Sequence, residues 1–271
     1  MPSESKTYIL TGGFSGIGLA ILTHLLTPKH PDTPPPTIHV LDLASTPPTL
    51  PTTLPTSTVH FHPDTDVTSR AGITALFDRI LAHSPQIDGL INSAGICPPP
   101  TIGGIESDEV FDRVLDVNLR GTWIVGTEFL KHILKQEDAD AAAGTPGVAG
   151  GKGVCARAAI VNIASTAAIS PPPGMVAYAT SKYAVLGLTK AWAKEFTPRG
   201  VRVNCVAPGG TRTPLVDSAL TEGMIDAYAE SAPMGRLAAP EEIASVVGFL
   251  LEGGAGFVSG QMVVVDGGFY L

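Results

Sequence analysis

Tyr8-Ile9-Leu10-Thr11-Gly12-Gly13-Phe14-Ser15-Gly16-Ile17-Gly18 carries a short apolar run straight into a glycine-rich turn. Glycines are needed where a chain turns sharply and where backbone must approach a diphosphate with no Cβ in the way. Residues 16–26 continue with a helical pattern, and a helix N-terminus favours anions through its unpaired N–H groups and its dipole. By itself such a turn could be only a tight connection. At the start of a series of βαβ units, it predicts dinucleotide binding.

The remaining pattern supports that context, because short apolar runs alternate with longer helical segments. This alternation predicts an α/β fold, a doubly wound, Rossmann-like, seven-stranded parallel sheet flanked by helices. Strands are predicted at Tyr8–Leu10, Ile38–Leu41, Val59–Phe61, Gly89–Ile91, Ala158–Ile163, Val201–Val206 and Met262–Val265. Helices are predicted at Gly16–Leu26, Arg70–Ala82, Ser107–Leu134, Val176–Phe196, Pro214–Ala229 and Glu241–Leu251.

Two stretches break the alternation. Residues 44–58 are rich in Pro and Thr, which makes a helix costly and predicts an irregular or polyproline-like surface connection. Residues 136–156 are rich in Gly and Ala and are interpreted as a mobile insertion. Neither is long enough to form a domain of its own, so residues 1–271 are expected to form a single NAD(P)-binding, Rossmann-like domain.

Composition limits the possible partners. The formal net charge of −8 argues against nucleic acid and against anionic membrane surfaces. No uninterrupted apolar stretch is long enough to span a bilayer, and the N-terminus lacks the apolar core of a signal peptide. The three cysteines, Cys97, Cys155 and Cys205, have neither disulfide nor metal-ligand spacing. We therefore expect a cytoplasmic protein with free thiols.

Tyr178-Ala-Thr-Ser-Lys182, with Ser165 thirteen positions upstream, is the strongest catalytic candidate. Positions i and i+4 share a helix face, so Tyr178 and Lys182 are expected to lie one above the other. An ammonium group beside a phenol favours the phenolate, which moves tyrosine towards useful acid–base chemistry. Ser165 would hold a substrate oxygen against the phenol. Taken alone, the Tyr–Lys spacing is more typical of an exposed helix face than of a catalytic pair.

Asp42 closes the second predicted strand. An acid at this position accepts hydrogen bonds from the adenosine ribose hydroxyls and repels a 2′-phosphate. The alternative is an ordinary aspartate that caps the following turn. No Arg or Lys lies in the glycine turn or directly after Asp42, so the sequence favours NAD(H) over NADP(H).

With these features in order, the chain resembles the short-chain dehydrogenase/reductase family, in its single-domain subgroup with Ser, Tyr, Lys and Asn catalytic residues. The resemblance covers nearly the whole chain apart from the two irregular stretches. Its motifs are Thr11–Gly18, Asn92-Ser93-Ala94-Gly95, Asn118, Ser165 with Tyr178 and Lys182, Pro208-Gly209 with Thr213, and Ser259–Gly268. One departure is Thr211, where the family often has Val or Ile, which puts a nicotinamide contact in doubt.

The resemblance implies a role for each matched residue. Tyr178 would be the general acid/base, and Lys182 would lower the tyrosine pKa and bind the nicotinamide ribose. Ser165 would polarise the substrate oxygen, and Asn118 would hold a water that links Lys182 to solvent. Asp66 would lie at the adenine edge with Val67 beside it, although Asp66 could equally cap the following helix. The cofactor contacts implied are Gly12, Ser15, Gly16, Ile17, Gly18, Asp42, Asp66, Val67, Asn92, Ala94, Gly95, Tyr178, Lys182, Pro208, Gly209, Thr211 and Thr213.

The expected function is therefore NAD(H)-dependent interconversion of a secondary alcohol and a ketone. Substrate would lie among segments 96–105, 167–177 and 209–237, which carry few charges, so a small to medium, mostly apolar molecule is expected. Arg212 could pair with a substrate carboxylate or with a surface acid. The apolar residues expected there are Ile96, Pro98, Ile169, Pro171, Met175, Leu215 and Met224.

Two alternatives to this function stay open. One is an NADP(H)-dependent ketoreductase of the same family, and the other is a non-redox relative, such as an epimerase, a lyase-like enzyme or a dinucleotide sensor. His60 and His62 alternate on a strand near Asp64 and Asp66, but the absence of a further ligand cluster disfavours a metal site. By family analogy the chain is expected to form a homo-oligomer, a tetramer or a dimer, through helices 107–134 and 176–196.

Overall fold

The computed structural model describes residues 5–28, 33–142 and 157–270. Seven parallel strands form one sheet in the order β3-β2-β1-β4-β5-β6-β7, which confirms the predicted fold class. The strands are β1 Thr7–Thr11, β2 Thr37–Leu41, β3 Val59–His62, β4 Gly89–Asn92, β5 Ala158–Ile163, β6 Val201–Pro208 and β7 Met262–Val265. The central strands β4, β5 and β6 are buried throughout, as expected of parallel strands covered on both faces.

Helices cover both faces of this sheet. Their bounds are α1 Gly16–Leu26, α2 Arg70–His83, α3 Asp108–Leu115, α4 Thr122–Ala142, α5 Val176–Phe196, α6 Pro214–Ala219, α7 Glu222–Ser231 and α8 Pro240–Leu251. On one face, α1 and α8 pack through Ile21 and Ile243. On the other, α2, α4 and α5 pack through Ile73, Phe129 and Trp192. Strand order reverses between β1 and β4, which in such sheets places the ligand crevice at their carboxyl ends.

The helix predicted at 107–134 is interrupted. Between α3 and α4 the chain forms a π-helical turn, Asp116–Gly121, which contains Asn118. Hydrophobic periodicity did not reveal this turn, because both flanking segments are helical. α4 then continues to Ala142, into the predicted insertion, where Glu137 pairs with Arg199 at 2.7 Å. The rest of that insertion, residues 143–156, lies outside the described residues.

The prediction of one continuous helix at Pro214–Ala229 is also wrong, because the chain forms two helices there, α6 and α7. The chain is extended at Leu220 and Thr221, and the Thr221 hydroxyl accepts a hydrogen bond from the Met224 N–H at 3.4 Å to begin α7. Threonine favours such a cap over a helix interior, which explains the break.

The proline-rich stretch 44–58 has neither helix nor strand until a single 3₁₀ turn at Thr56–Thr58. Leu50 and Leu54 nevertheless pack against the core beside α1. Within the described ranges, no helix is both long enough and apolar enough to cross a membrane.

Candidate active site

The glycine-rich turn forms one wall of the crevice at the carboxyl end of β1. Gly12 has a φ of +67°, and a Cβ there would lie 2.7 Å from the Cα of Ala94. A Cβ on Gly18 would collide with the carbonyl oxygen of Gly12. Both positions therefore require glycine, and the turn leaves the N-terminus of α1 open to the crevice. These features fit the binding of a diphosphate.

Asp42 lies where β2 ends, beside that turn. Its Oδ2 accepts a hydrogen bond from the Phe14 N–H at 2.8 Å, and its Oδ1 accepts one from the Ala44 N–H at 3.0 Å. The carboxylate therefore both caps its own turn and ties β2 to the glycine-rich turn. Carboxylate oxygens accept more than one hydrogen bond each, so Asp42 retains acceptor capacity for ribose hydroxyls.

Ser165, Tyr178 and Lys182 converge below these elements. Ser165 follows β5 and starts a 3₁₀ turn, with its Oγ accepting a hydrogen bond from the Ala167 N–H at 3.1 Å. Tyr178 and Lys182 stand one turn apart on α5, as predicted, and the Lys182 Nζ lies 5.6 Å from the centroid of the Tyr178 ring. The lysine ammonium also donates a hydrogen bond to the Ile163 carbonyl oxygen at 2.9 Å.

Electrostatics at this centre differ from the sequence prediction for Tyr178. Burial raises the tyrosine pKa above its ordinary value, and the hydrogen bond with Ser165 opposes that rise only in part. Burial likewise lowers the pKa of Lys182 to about 8. The expected lowering of the tyrosine pKa by Lys182 is therefore not found. The physical reason is desolvation, which penalises the phenolate and the ammonium alike.

Asn118 is buried in the π turn. Its Oδ1 accepts a hydrogen bond from the Ile96 N–H at 2.8 Å, and its Nδ2 donates to the Ile96 carbonyl oxygen at 2.9 Å and to Ser181 Oγ at 3.0 Å. The side chain therefore fixes the loop after β4 against α5. Its backbone carbonyl oxygen accepts a hydrogen bond from the Thr122 hydroxyl at 2.8 Å.

Most of the predicted contacts line one cavity of about 310 Å³. The predicted residues found there are Gly12, Ser15, Gly16, Ile17, Gly18, Asp42, Asp66, Val67, Ala94, Gly95, Ser165, Tyr178, Lys182, Pro208, Gly209, Thr211 and Thr213. Asn92, which was also predicted to contact the cofactor, does not line this cavity. Its buried side chain instead donates a hydrogen bond to Asn162 Oδ1 at 2.9 Å, behind the cavity wall.

Other wall residues were missed by sequence reasoning. Leu43 and Thr65 follow strand ends, a position that could have marked them, whereas Arg113 comes from α3, where only the fold reveals it. Asp66 also accepts hydrogen bonds from the backbone N–H and the hydroxyl of Thr68, both at 2.8 Å. Asp66 therefore lines the cavity and closes a turn at Thr68, whereas the helix cap given as its alternative role is made by Ser69, whose hydroxyl accepts a hydrogen bond from the Gly72 N–H at 3.2 Å.

A second cavity, of about 110 Å³, adjoins the first, and Ser165 and Tyr178 line both. Met175 and Leu215 line it as predicted. Of the other apolar residues expected around the substrate, Ile96 lines the large cavity, and Pro98, Ile169, Pro171 and Met224 line neither. Arg212 lies outside both cavities and pairs with the surface acids Asp217 and Glu222, at 3.3 and 3.5 Å.

Among the described residues, no group of three or more His, Cys, Asp or Glu side chains is arranged so that it could hold a metal ion. Cys97 lines the second cavity, and burial raises its pKa to about 11, so its thiol is protonated at neutral pH. Cys205 is a buried free thiol, and Cys155 lies outside the described residues. His60 and His62 both stack on His39.

Comparison with known proteins agrees with this geometry. A family model described as Enoyl-(Acyl carrier protein) reductase matches residues 52–270. The "Short-chain dehydrogenase fogB" of Aspergillus ruber is 35% identical over 207 residues, which cover 75% of this chain and 74% of that protein. The chain belongs to the short-chain dehydrogenase/reductase family.

Other members of the short-chain dehydrogenase/reductase family are similarly related. The 3-oxoacyl-[acyl-carrier-protein] reductase FabG of Thermotoga maritima is 32% identical over 206 residues, 76% of this chain and 75% of that protein. A 3-ketoacyl-(acyl-carrier-protein) reductase from Brucella melitensis complexed with NADH superposes with a TM-score of 0.80 at 26% identity, covering 99% of each chain.

A further structure, "ElxO with NADP Bound", superposes with a TM-score of 0.79 at 25% identity, covering 98% of this chain and 99% of that one. Both forms of the nicotinamide cofactor thus occur among these structures. As a short-chain dehydrogenase/reductase, the present chain is an oxidoreductase with a nicotinamide cofactor.

Proposed function

We propose that the protein is an NAD(H)-dependent oxidoreductase that interconverts a secondary alcohol and a ketone on a small to medium, mostly apolar substrate. The observation that carries this proposal is the position of Ser165 and Tyr178, which line both the large cavity and the smaller apolar one. A substrate oxygen in the smaller cavity would thus meet a hydroxyl and a phenol at the boundary with the cofactor.

The residues around the large cavity would hold the dinucleotide along its length. The glycine-rich turn fits its diphosphate, Asp42 fits the adenosine ribose hydroxyls, and Lys182 fits the second ribose. When bound, the nicotinamide ring would supply or accept the hydride. The protein would contribute binding, orientation and control of the proton.

Tyr178 would transfer the proton. Its raised pKa keeps a proton on the phenol oxygen at neutral pH, which is the form that donates to a ketone oxygen. Ser165, which lines both cavities together with Tyr178, would orient and polarise the same oxygen. Lys182 would support the tyrosine from one turn away, and Asn118 would act as a positioning residue that holds the Ile96 backbone and Ser181 in place.

Replacing Tyr178 by Phe tests this assignment. The variant keeps the ring and loses the phenol oxygen, so NAD(H) binding should be nearly intact while kcat falls by at least about 10²-fold, the range for a general acid/base. NADH binding by fluorescence and turnover with a panel of ketones would be measured together. Near-normal turnover would contradict the role of Tyr178.

The preference for NAD(H) is supported by Asp42, whose carboxylate would repel a 2′-phosphate. The neighbouring positions Phe14, Leu43 and Ala44 offer no positive charge to bind one. The test is the ratio of kcat/KM for NADH and NADPH in the wild-type protein, expected to favour NADH. A higher value for NADPH would overturn this part of the proposal.

The second candidate is an NADP(H)-dependent ketoreductase, which the similarity to 3-oxoacyl-[acyl-carrier-protein] reductases and to the NADP-bound structure favours. Reduction of a 3-oxoacyl thioester with NADPH, at a rate above that with simple ketones, would support it. A non-redox relative is disfavoured because the glycine-rich turn and the Tyr178–Lys182 pair are both in place.

We further infer a homo-oligomer, a tetramer or dimer formed through the α3–α4 segment and α5. Large side chains on these helices are exposed in the isolated chain, namely Phe111, Trp123 and Tyr183. Exposed aromatic side chains of this kind are typical of interfaces between subunits. Light scattering of the purified protein would test the inference, and a monomer at micromolar concentration would contradict it.

A further inference from the structure

The smaller cavity contains a second phenol, Tyr228 of α7, opposite the tyrosine already assigned to proton transfer. The sequence placed segment 209–237 among those expected to enclose the substrate but did not single out this residue. In the structure, the ring of Tyr228 is half-buried and reaches the cavity from the helix that covers it.

Tyr228 is held in a defined position from two sides. A Cβ on Gly210 would lie 2.5 Å from the ring atoms Cδ1 and Cε1, so the ring lies directly on backbone that has no side chain. Its other side stacks on Phe269, with centroids 5.1 Å apart and planes at 15°. Residues from two distant parts of the sequence thus fix the ring.

The Tyr228 hydroxyl lies close to the reacting groups. Thr166, the residue after Ser165, lines the same cavity and lowers the pKa of Tyr228, against the effect of burial. Tyr228 also acts electrostatically on Tyr178, raising the pKa of that phenol. The hydroxyls of Tyr228 and Thr166 carry two protons between them, and a hydrogen bond from one to the other would use only one. One hydroxyl proton of this pair is therefore available to a ligand in the cavity.

The rest of the cavity wall is mainly apolar. Met175, Leu215, Ile225 and Leu237 contribute to it, and no Lys or Arg of the described residues lines it. A carboxylate or phosphate placed there would lose its hydration without gaining a cation, at a high cost in free energy. An uncharged oxygen could instead accept the hydroxyl proton described above. Such a donor in an apolar cavity is the usual means by which a small-molecule site selects its ligand.

We propose that Tyr228 is a specificity-determining residue that binds a second, uncharged oxygen of the substrate. The preferred substrates are then small ketones that carry an additional hydroxyl or carbonyl group, and the corresponding alcohols. This inference rests on the function proposed above. The volume of about 110 Å³ limits the molecule to one small ring or a short branched chain. For comparison, an apolar cavity of about 150 Å³ holds benzene.

The test compares cyclohexanone with its 2-, 3- and 4-hydroxy derivatives, whose hydroxyl groups sample different distances from the ketone. Reduction would be followed by loss of NADH or NADPH absorbance in the wild type and in Tyr228→Phe. We expect the wild type to prefer at least one hydroxyketone by about tenfold in kcat/KM, which is the contribution of one hydrogen bond. In Tyr228→Phe this ratio should fall close to one.

Tyr270→Phe is the matched control, because Tyr270 lines the same cavity while its hydroxyl is already bonded to Ser170. It should leave the hydroxyketone-to-cyclohexanone ratio unchanged. Gly210→Ala is a second route to the same test, since the added methyl group would lie 2.5 Å from the Tyr228 ring and from Leu237 Cδ2. Both side chains must then shift, and the ratio should fall as it does in Tyr228→Phe. It also covers the case in which Tyr228→Phe fails to fold.

The outcomes separate the two proposals. If the wild type reduces cyclohexanone at least as well as every hydroxyketone, or if Tyr228→Phe keeps the wild-type ratio, Tyr228 does not determine specificity, while the oxidoreductase function stands. If the wild type consumes neither NADH nor NADPH with any ketone of the panel, the proposed function fails, and this inference fails with it.

Discussion

His39 should make the stability of this protein sensitive to mild acid. It lies in β2 with its side chain 3% exposed, stacked on His60 and His62 at centroid distances of 4.8 and 5.4 Å. Its two ring nitrogens are both occupied, Nδ1 by His62 Nε2 at 3.2 Å and Nε2 by Ser84 Oγ at 3.0 Å. A proton added to this ring would create a buried cation beside a second imidazole.

The magnitude follows from the pKa of His39, which is lowered to about 4, first by burial and then by the neighbouring His62, His60 and His83. Because the folded pKa lies below the unfolded value of about 6.5, the unfolded chain binds the proton more readily. The stabilising effect is therefore complete above the unfolded pKa and is lost as pH falls towards the folded one. His39 alone should reduce the free energy of unfolding by about 2 kcal/mol between pH 7 and pH 5.

Urea unfolding at these two pH values, in wild type and in His39→Gln, would measure the effect. Glutamine keeps a hydrogen-bonding amide but does not titrate, so the loss on going to pH 5 should shrink by about 2 kcal/mol. His83→Gln is the control, because His83 is exposed and contributes least to the lowered pKa of His39; it should keep most of the wild-type loss. An equal loss in His39→Gln and wild type would refute the reasoning.

Three further perturbations have defined outcomes. Asp42→Ala should weaken NAD(H) binding and relax discrimination against NADP(H), and unchanged dissociation constants for both would exclude a role for Asp42 in cofactor choice. Thr189→Val removes the hydroxyl that accepts a hydrogen bond from the buried Asn162 Nδ2 at 2.9 Å. The free energy of unfolding, measured in urea, should fall by about 1–3 kcal/mol, and an unchanged value would contradict this expectation. Glu106→Ala removes the carboxylate that accepts a hydrogen bond from the N–H of Ala177, the residue before Tyr178, at 2.6 Å. The variant should lower kcat, because Tyr178 loses this support, while NAD(H) affinity measured by fluorescence stays unchanged. Glu106→Gln keeps an acceptor oxygen and should retain more activity.

The sheet was predictable because its strands are apolar runs with both faces covered. β5 and β7 match their predicted bounds, and the others differ by one or two residues at their ends. The glycine-rich turn and the Tyr178–Lys182 spacing were predictable for a related reason, since each is a local pattern with a direct steric or helical cause. Local patterns of this kind, together with the family motifs, account for most of the residues that line the cofactor cavity.

What the sequence did not reveal depends on contacts between distant segments. Tyr228 reaches the smaller cavity only because Gly210 and Phe269 enclose its ring. The direction of the Tyr178 pKa depends on how deeply α5 is covered, which no local spacing reports. Asn92 belongs to a recognisable motif, but its side chain turns towards Asn162 on the adjacent strand.

The π turn at Asp116–Gly121 also has an evolutionary consequence. A π turn contains one residue more than the regular α-helix requires, and regular helix is the more stable backbone. Deleting a single codon here would therefore be expected to yield a smoother, locally more stable helix. The same deletion would leave α3 and α4 nearly in register, because the π turn absorbs the extra residue, but it would remove the widened turn that places Asn118 against Ile96. Selection for stability alone would favour losing this residue, and selection for function would retain it.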